Sequence, residues 1–525
     1  MKIYKFLCAC MCSAVLMSCN DWLTVEPSTE MDRDDLFRNE AGFADAMSGI
    51  YSNMTDNSLY GKTLTWHTLE LMGGGSKTIY TGTSHNYQKF SFHPESAYYS
   101  DSDRRLIVDN IWNKMYNTIA NVNSMLECID DKKGVFEGND YEVFKGEALG
   151  LRGFLHFELL RLFSDAPNSA DYSAEKKYIP YVSSLTSNVY PLLTVEQFVQ
   201  LLLIDLQNAK ELLKHDPMYT GSLPSAYVCD EVSGNVSMRL KYGVADWHNR
   251  RFHFNYYAVV ATMARVYLWM GDKQNALACA KEVIEASEGT FVWTNPELLA
   301  NVASTSALVA RDRVFSTEQV FALNIIDMPD RMDGYMCQQE KSFATNTGNI
   351  VAMNTDCFDA ATQSSDPRYA YLRSSYSVFG TVIDVCNKYY KDDDPSKYST
   401  WAANRLPLIR ISEMYYIAAE CEPNLPTAVE YLEKVRRNRG MAAYPLECST
   451  RNDLQKEIES EYRKEFIAEG QTFYYYKRTN QTITNVTNGA PVTVEPSLFT
   501  MPRPEDEDMY GDRKNEIIIN TETSK

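Results

Sequence analysis

The chain has 525 residues, 44% hydrophobic and 23% charged, so it can bury a large core without help from disulfides or metals. Its formal net charge is −19, from 51 basic and 70 acidic residues, which argues against nucleic acid as a partner. Aromatic residues make up 12%, with 35 tyrosines, a composition suited to surfaces that bind sugars or peptides.

The chain opens with Lys2 and Lys5 and no acid, followed by an apolar run over residues 6–17. This pattern predicts a secretory signal over residues 1–18, too short to span a membrane comfortably. The run ends in Leu16-Met17-Ser18-Cys19, which resembles the lipobox of bacterial lipoproteins. Cys19 would then carry the lipid, and several acyl chains at ~0.8 kcal/mol per buried methylene give near-permanent anchoring. No later stretch is apolar enough to span a bilayer. Cysteines 128, 229, 279, 337, 357, 386, 421 and 448 are scattered with no CxxC or zinc spacing, and read mostly as small buried hydrophobes.

Helical periodicity dominates the body. Helices are expected at 34–54 with Asp34 as cap, at 102–128, and at 140–163. Another follows the cap Thr194 and stops before Pro217. Two more are expected at 255–270 and 272–287, then three at 407–421, 426–438 and 452–469. The pairs 255–287 and 407–438 carry small residues at Ala264, Ala276, Ala280, Ala419 and Ala428, with Gly271-Asp272 at a turn. That spacing suits degenerate tetratricopeptide units, which must stack because one pair cannot bury its own face. Residues 320–323 read as a short strand. Long irregular segments run over 61–101, 170–193, 216–250 and 291–399, and ordered loops of such length are usually functional.

No HExxH or GxSxG occurs, and nothing here nominates a catalytic residue, a metal ligand or a cofactor. Gly73-Gly74-Gly75-Ser76-Lys77 lacks phosphate-loop spacing and reads as a flexible surface turn. His156 reads as a satisfied core histidine, and His248 and His253 as parts of a loop before a helix. Glu465, Glu469 and Arg463 read as structural ion pairs, since the two glutamates would repel at i,i+4 without a cation between them.

The order of short motifs resembles the SusD/RagB family of outer-membrane nutrient-binding lipoproteins from Bacteroidetes. The likeness begins at Cys19-Asn20-Asp21-Trp22-Leu23 and continues through Phe43, Ala46 and Gly49-Ile50-Tyr51. It includes Ile111-Trp112, Lys145-Gly146-Glu147-Ala148-Leu149 with Arg152 and His156, Asp165-Ala166-Pro167 and Ile179-Pro180-Tyr181. Further on stand Asn255-Tyr256-Tyr257-Ala258, Pro407-Leu408-Ile409-Arg410 with Glu413, Glu465-Phe466 with Glu469-Gly470, and Lys477-Arg478. Two places depart from the pattern: Tyr475-Tyr476 replaces an Asp-Leu type pair, and the final proline motif reads Met501-Pro502-Arg503-Pro504-Glu505.

The resemblance implies a mainly α fold: a right-handed helical superhelix of about four tetratricopeptide-like pairs, under a loop-rich overlay with little strand. It implies a single body over 19–525, with an N-terminal part to about 250 and a C-terminal part from about 251. It also implies a cell-surface lipoprotein of the outer membrane, without catalytic activity. Such a protein binds oligosaccharide and delivers it to a SusC-like TonB-dependent transporter. A peptide-binding member of the same family, or a tetratricopeptide scaffold that binds only proteins, are the competing readings.

A sugar needs aromatic faces for its C–H surfaces and polar side chains for its hydroxyls. Helical aromatics such as Trp112, Tyr116, Tyr267 and Trp269 are expected in the core. Loop aromatics are the better candidates. Trp66, Tyr80 and Tyr87 in the segment 61–101, and Tyr335 in the segment 327–349, are expected to offer ring faces to a ligand.

Overall fold

Side chains that cap the backbone set many of the helix starts. The computed structural model describes residues 33–80, 102–186, 189–221, 247–294, 312–328, 330–332, 349–358, 365–378, 381–389, 404–487, 490–494 and 496–509. The first expected helix is two: α1 (Arg33–Leu36) and α2 (Glu40–Met54). Asn39 caps the second by accepting a hydrogen bond from Gly42 N at 3.0 Å, while Asp34, the expected cap, sits inside the first turn of α1. A short α3 (Thr68–Met72) follows, then β1 (Ser76–Tyr80).

The long pair α4 (Ser102–Ile129) and α5 (Asp140–Phe163) lies where periodicity places it. Three glycines let α5 lie close to its neighbours. A Cβ on Gly146 would stand 2.8 Å from Leu213, on Gly150 2.7 Å from Phe254, and on Gly153 2.8 Å from Leu206. Strands β2 (Lys177–Ile179) and β3 (Leu193–Thr194) pair before α6 (Val195–Leu212). Thr194 and Gln197 form a reciprocal capping box at its start. Asp216 and Pro217 then open the one-turn α7 (Pro217–Thr220).

Asn255 caps α8 (Tyr256–Trp269) and Asp272 caps α9 (Lys273–Thr290), with Gly271 at φ +77° between them. The chain then leaves the helices for the overlay. This holds β4 (Gln319–Asn324), β5 (Asn349–Met353), α10 (Pro367–Tyr371), β6 (Arg373–Val378) and β7 (Thr381–Cys386). It returns along β8 (Arg405–Arg410) into α11 (Ile411–Cys421), which packs on α9 as though nothing intervened.

The expected helix 407–421 is therefore strand over its first four residues, 407–410, and helix from Ile411. β8 is antiparallel to β4, Pro407 faces Ala322 at an irregularity of the register, and all six residues are buried. Proline tolerates a bulge better than a helix interior, and Leu406 before it is pushed toward extended backbone.

Asn424 caps α12 (Leu425–Asn438), and Thr450 with Asp453 boxes α13 (Arg451–Glu465). The helix expected to reach 469 stops at 465. Arg410 Nη2 takes the Glu465 carbonyl at 2.6 Å and Lys388 Nζ takes the Ile467 carbonyl at 3.1 Å, so buried cations satisfy the last carbonyls. After Ala468 and Gly470, both at positive φ, comes a helix absent from the sequence expectation, α14 (Gln471–Thr479). The hairpin β9 (Ile483–Thr487) and β10 (Ala490–Val494) and a last turn α15 (Glu505–Met509) complete the described chain.

Helices α4, α5, α6, α8, α9, α11 and α12 each pack on the next, giving the stacked tetratricopeptide-like scaffold. One hydrophobic core runs through scaffold and overlay, and it holds Trp112 and Trp269. Tyr116 and Tyr267 pack partly buried against it. Cys279, Cys357, Cys386 and Cys421 are buried free thiols, while Cys229 and Cys337 lie outside the described residues.

Candidate functional site

Two of the loop segments marked by their aromatics are joined in one small sheet. β1 and β5 are antiparallel, with Ser76 opposite Met353 and Tyr80 opposite Asn349. The chain thus leaves β1 for residues 81–100 at the same sheet end where residues 333–348 enter β5. A second clamp holds the far ends together. Arg331 Nη1 donates to the Thr55 carbonyl at 2.6 Å and to Asn57 Oδ1 at 3.3 Å, and would lie 2.6 Å from a Cβ on Gly61. The hairpin β6–β7 lies beside β5, and β9 beside β1.

The predicted residues divide as follows. Trp66 is fully buried, and its indole Nε1 donates to the Gly61 carbonyl at 3.0 Å. Packing occupies its ring, so the expectation that it presents a face to a ligand is corrected. A loop tryptophan and a core tryptophan look alike in sequence; burial is decided by distant partners. Tyr80 ends β1, at the sheet end where both segments meet. Tyr87 and Tyr335, like Cys19, lie outside the described residues.

The glycine run is not a loose surface turn. Gly73, Gly74 and Gly75 are buried, and a Cβ on Gly73 would meet Thr472 Oγ1 at 2.5 Å. Asn354 fastens the turn to β5: its backbone N donates to the Gly75 carbonyl and its Nδ2 to the Gly74 carbonyl, both at 2.9 Å. Sequence reasoning missed Asn354 and Arg331 because their partners are 280 and 276 residues away.

A fully buried ion network ties α10, β8, α12 and α13 together. Glu465 meets Arg410 at 2.5 Å, Arg439 at 2.6 Å and Arg368 at 3.2 Å. Arg368 also meets Asp366 and Glu461, Arg439 meets Glu318, and Glu469 pairs with Lys388 and Arg410. Burial alone would raise the Glu465 carboxyl; the guanidiniums of Arg439 and Arg410 overcome that and hold it well below the usual carboxylate range. The i,i+4 glutamates are thus structural ion pairs, as their spacing suggested. Phe315, at φ +52°, puts its ring 4.1 Å from the Arg439 guanidinium and 4.8 Å from that of Arg410.

The family-like motifs on α5 are structural too. Glu147 binds Arg250 at 2.5 Å, His253 Nδ1 at 2.7 Å and the Tyr51 hydroxyl at 2.5 Å. Arg152 forks onto Asp205 at 2.6 and 2.7 Å. His156 Nε2 accepts from Val182 N at 3.0 Å, which leaves Nδ1 to donate to the Arg152 carbonyl at 2.9 Å. Burial pushes this neutral imidazole down to about 3. Lys477 Nζ and Met501 N both donate to the Leu162 carbonyl at the end of α5, and Arg478 grips Glu420 twice at 2.7 Å. Tyr475 and Tyr476, the departure from the family pattern, are buried side by side in α14. Among the described residues, no group of three or more His, Cys, Asp or Glu is placed to hold a metal ion. Among the same residues, no helix is long and apolar enough to cross a membrane.

Comparison with known proteins fits this architecture. The family described as "Starch-binding associating with outer membrane" matches residues 21–226, and the SusD family matches residues 331–517. The chain belongs to the SusD/RagB family. Two SusD-like proteins of Formosa agariphila are similar, one 24% identical over 29% of this chain and 28% of its own. The other is 26% identical over 40% of this chain and 38% of its own. The matches thus span well under half of each curated relative. A SusD superfamily protein from Bacteroides thetaiotaomicron superposes with TM-score 0.65 at 20% identity, covering 90% of this chain and 98% of that one. A SusD-like carbohydrate binding protein from Bacteroides vulgatus gives TM-score 0.61 at 18% identity, covering 93% and 100%.

Proposed function

We propose that this protein is a surface glycan-binding lipoprotein of the outer membrane, anchored through Cys19, and that it passes oligosaccharide to a SusC-like TonB-dependent transporter. The glycan would sit at the end of the β1–β5 sheet marked by Tyr80 and Asn349. One observation carries this reading: Tyr80 and Asn349 are register partners, so two aromatic-bearing segments far apart in sequence start from one sheet end. The family and the carbohydrate-binding neighbour support the ligand class. Tyr80, Tyr87 and Tyr335 are the ring faces we propose, with selectivity from hydrogen bonds to hydroxyls at their edges.

The test is affinity electrophoresis of residues 20–525 against neutral plant, microbial and host glycans. Retardation by one polysaccharide is expected, and the double substitution Tyr80→Ala, Tyr87→Ala should abolish most of it while leaving the melting temperature unchanged. Binding that survives the double substitution would move the site elsewhere. Heat released by peptides with no response to any glycan would replace the ligand class.

A further inference from the structure

Glu70 lies under the stem of the proposed site, and none of the roles above explains it. Its side chain is fully buried. Oε2 accepts from Gly470 N at 3.3 Å and the Ala468 N–H also favours the carboxylate, whereas Oε1 is buried and reaches no donor at hydrogen-bond geometry. Gly75 passes directly over the carboxyl: a Cβ there would lie 2.1 Å from Oε1. Two hydroxyls beside the same turn, Ser76 Oγ and Thr472 Oγ1, are also buried without partners. The carboxyl therefore supports the turn from which β1 departs, while Asn354 holds that turn from the β5 side.

The titratable and charged groups that face Glu70 are known from each neighbouring element. Cys386 approaches from the end of β7, Lys388 and Tyr389 from the turn after it, and Glu469 from the turn after α13. Lys388 is engaged by Glu469 and the Ile467 carbonyl, and Arg410 stands behind Glu469. His67, which opens α3, is itself pushed well below its ordinary value by burial. A buried carboxylate with one bare oxygen is costly, and a proton removes the charge. Burial pushes this carboxyl up to about 7.

We propose that Glu70 is a positioning residue of the ligand site, holding a proton while the Gly73–Gly75 turn is seated, so that the seating of β1, and ligand affinity with it, weakens as an acidic solution is brought to neutrality. This rests on the reading that a ligand binds at the Tyr80–Asn349 end of the β1–β5 sheet. The direction follows from linkage. The seated state keeps a proton that an exposed glutamate would release, so it loses ground as pH rises from ~4.5 and the loss is complete above the seated value.

The test compares wild type with Glu70→Gln, which keeps an acceptor for Gly470 N–H and carries no charge. The first readout needs no ligand: amide exchange of Ser76–Tyr80 between pH 5.5 and 8.5, corrected for intrinsic base catalysis. Protection should fall several-fold in wild type and stay level in the variant. The second readout is glycan affinity by calorimetry over the same range, falling several-fold in wild type alone. Level profiles in wild type, or profiles that fall equally in both proteins, overturn the proposal. If no glycan binds, the proposed function fails, while the exchange profile still judges Glu70. If the variant does not fold, the wild-type exchange profile decides: protection that falls through the acidic range and levels off near neutrality supports the proposal, and a flat profile overturns it.

Discussion

Glu465 receives guanidiniums from three places in the chain: Arg368 in α10, Arg410 at the end of β8 and Arg439 after α12. Its sequence context gave only a warning of repulsion from Glu469; the compensating cations are 26 to 97 residues away. Removing one member of a buried set leaves the others unpaired, so Glu465→Gln should cost about 3–5 kcal/mol in chemical denaturation. A change under 1 kcal/mol would mean that the network is not a stabilising unit. Trp66→Ala should cost a similar ~3–5 kcal/mol through its cavity and lost hydrogen bond. Its effect on ligand binding should not exceed what the loss of fold explains. His156 adds an acid limit. Its neutral form is required in the fold and its value falls from 6.5 to about 3, so its contribution is intact above ~6.5 and lost progressively as pH drops toward 3. The acid limb of a stability–pH curve should therefore be shallower in His156→Gln. Here the sequence was legible: a histidine on the inner face of a long helix pointed to a core role.

At the scale of elements, what was legible depended on whether the deciding interaction is local. Thr194 with Gln197 and Asp272 with Asn275 are caps within three residues, and the helices start where they were expected. β8 is decided by pairing with β4, whose residues lie more than 80 positions earlier, so Pro407-Leu408-Ile409 passed for the start of α11. α14 escaped because Gln471 through Lys477 are all buried, polar side chains included, against partners as distant in sequence as Leu162. The glycine turn before β1 looked flexible because glycine is permissive, yet here glycine is used for close approach. Gly75→Ala should destabilise by about 1–3 kcal/mol, since its methyl would meet the Glu70 carboxyl. Adding Glu70→Ala should recover part of that loss in a double-mutant cycle, and strict additivity would separate the two residues.

At the scale of the molecule, the longest break in the helical stack among the described residues lies between α9 and α11, and it holds β4 through β8 of the overlay. The stack was legible from its period and small residues. The candidate site was half legible: two segments stood out for their aromatics, but their meeting at Tyr80 and Asn349 is a long-range pairing that no local pattern encodes. That meeting is the central claim. Amide exchange across the whole chain, with and without the glycan that retards the protein, tests it most directly. New protection should appear together in residues 76–100 and 333–353. Protection confined to the helical scaffold, or to one segment with the other unchanged, would contradict it.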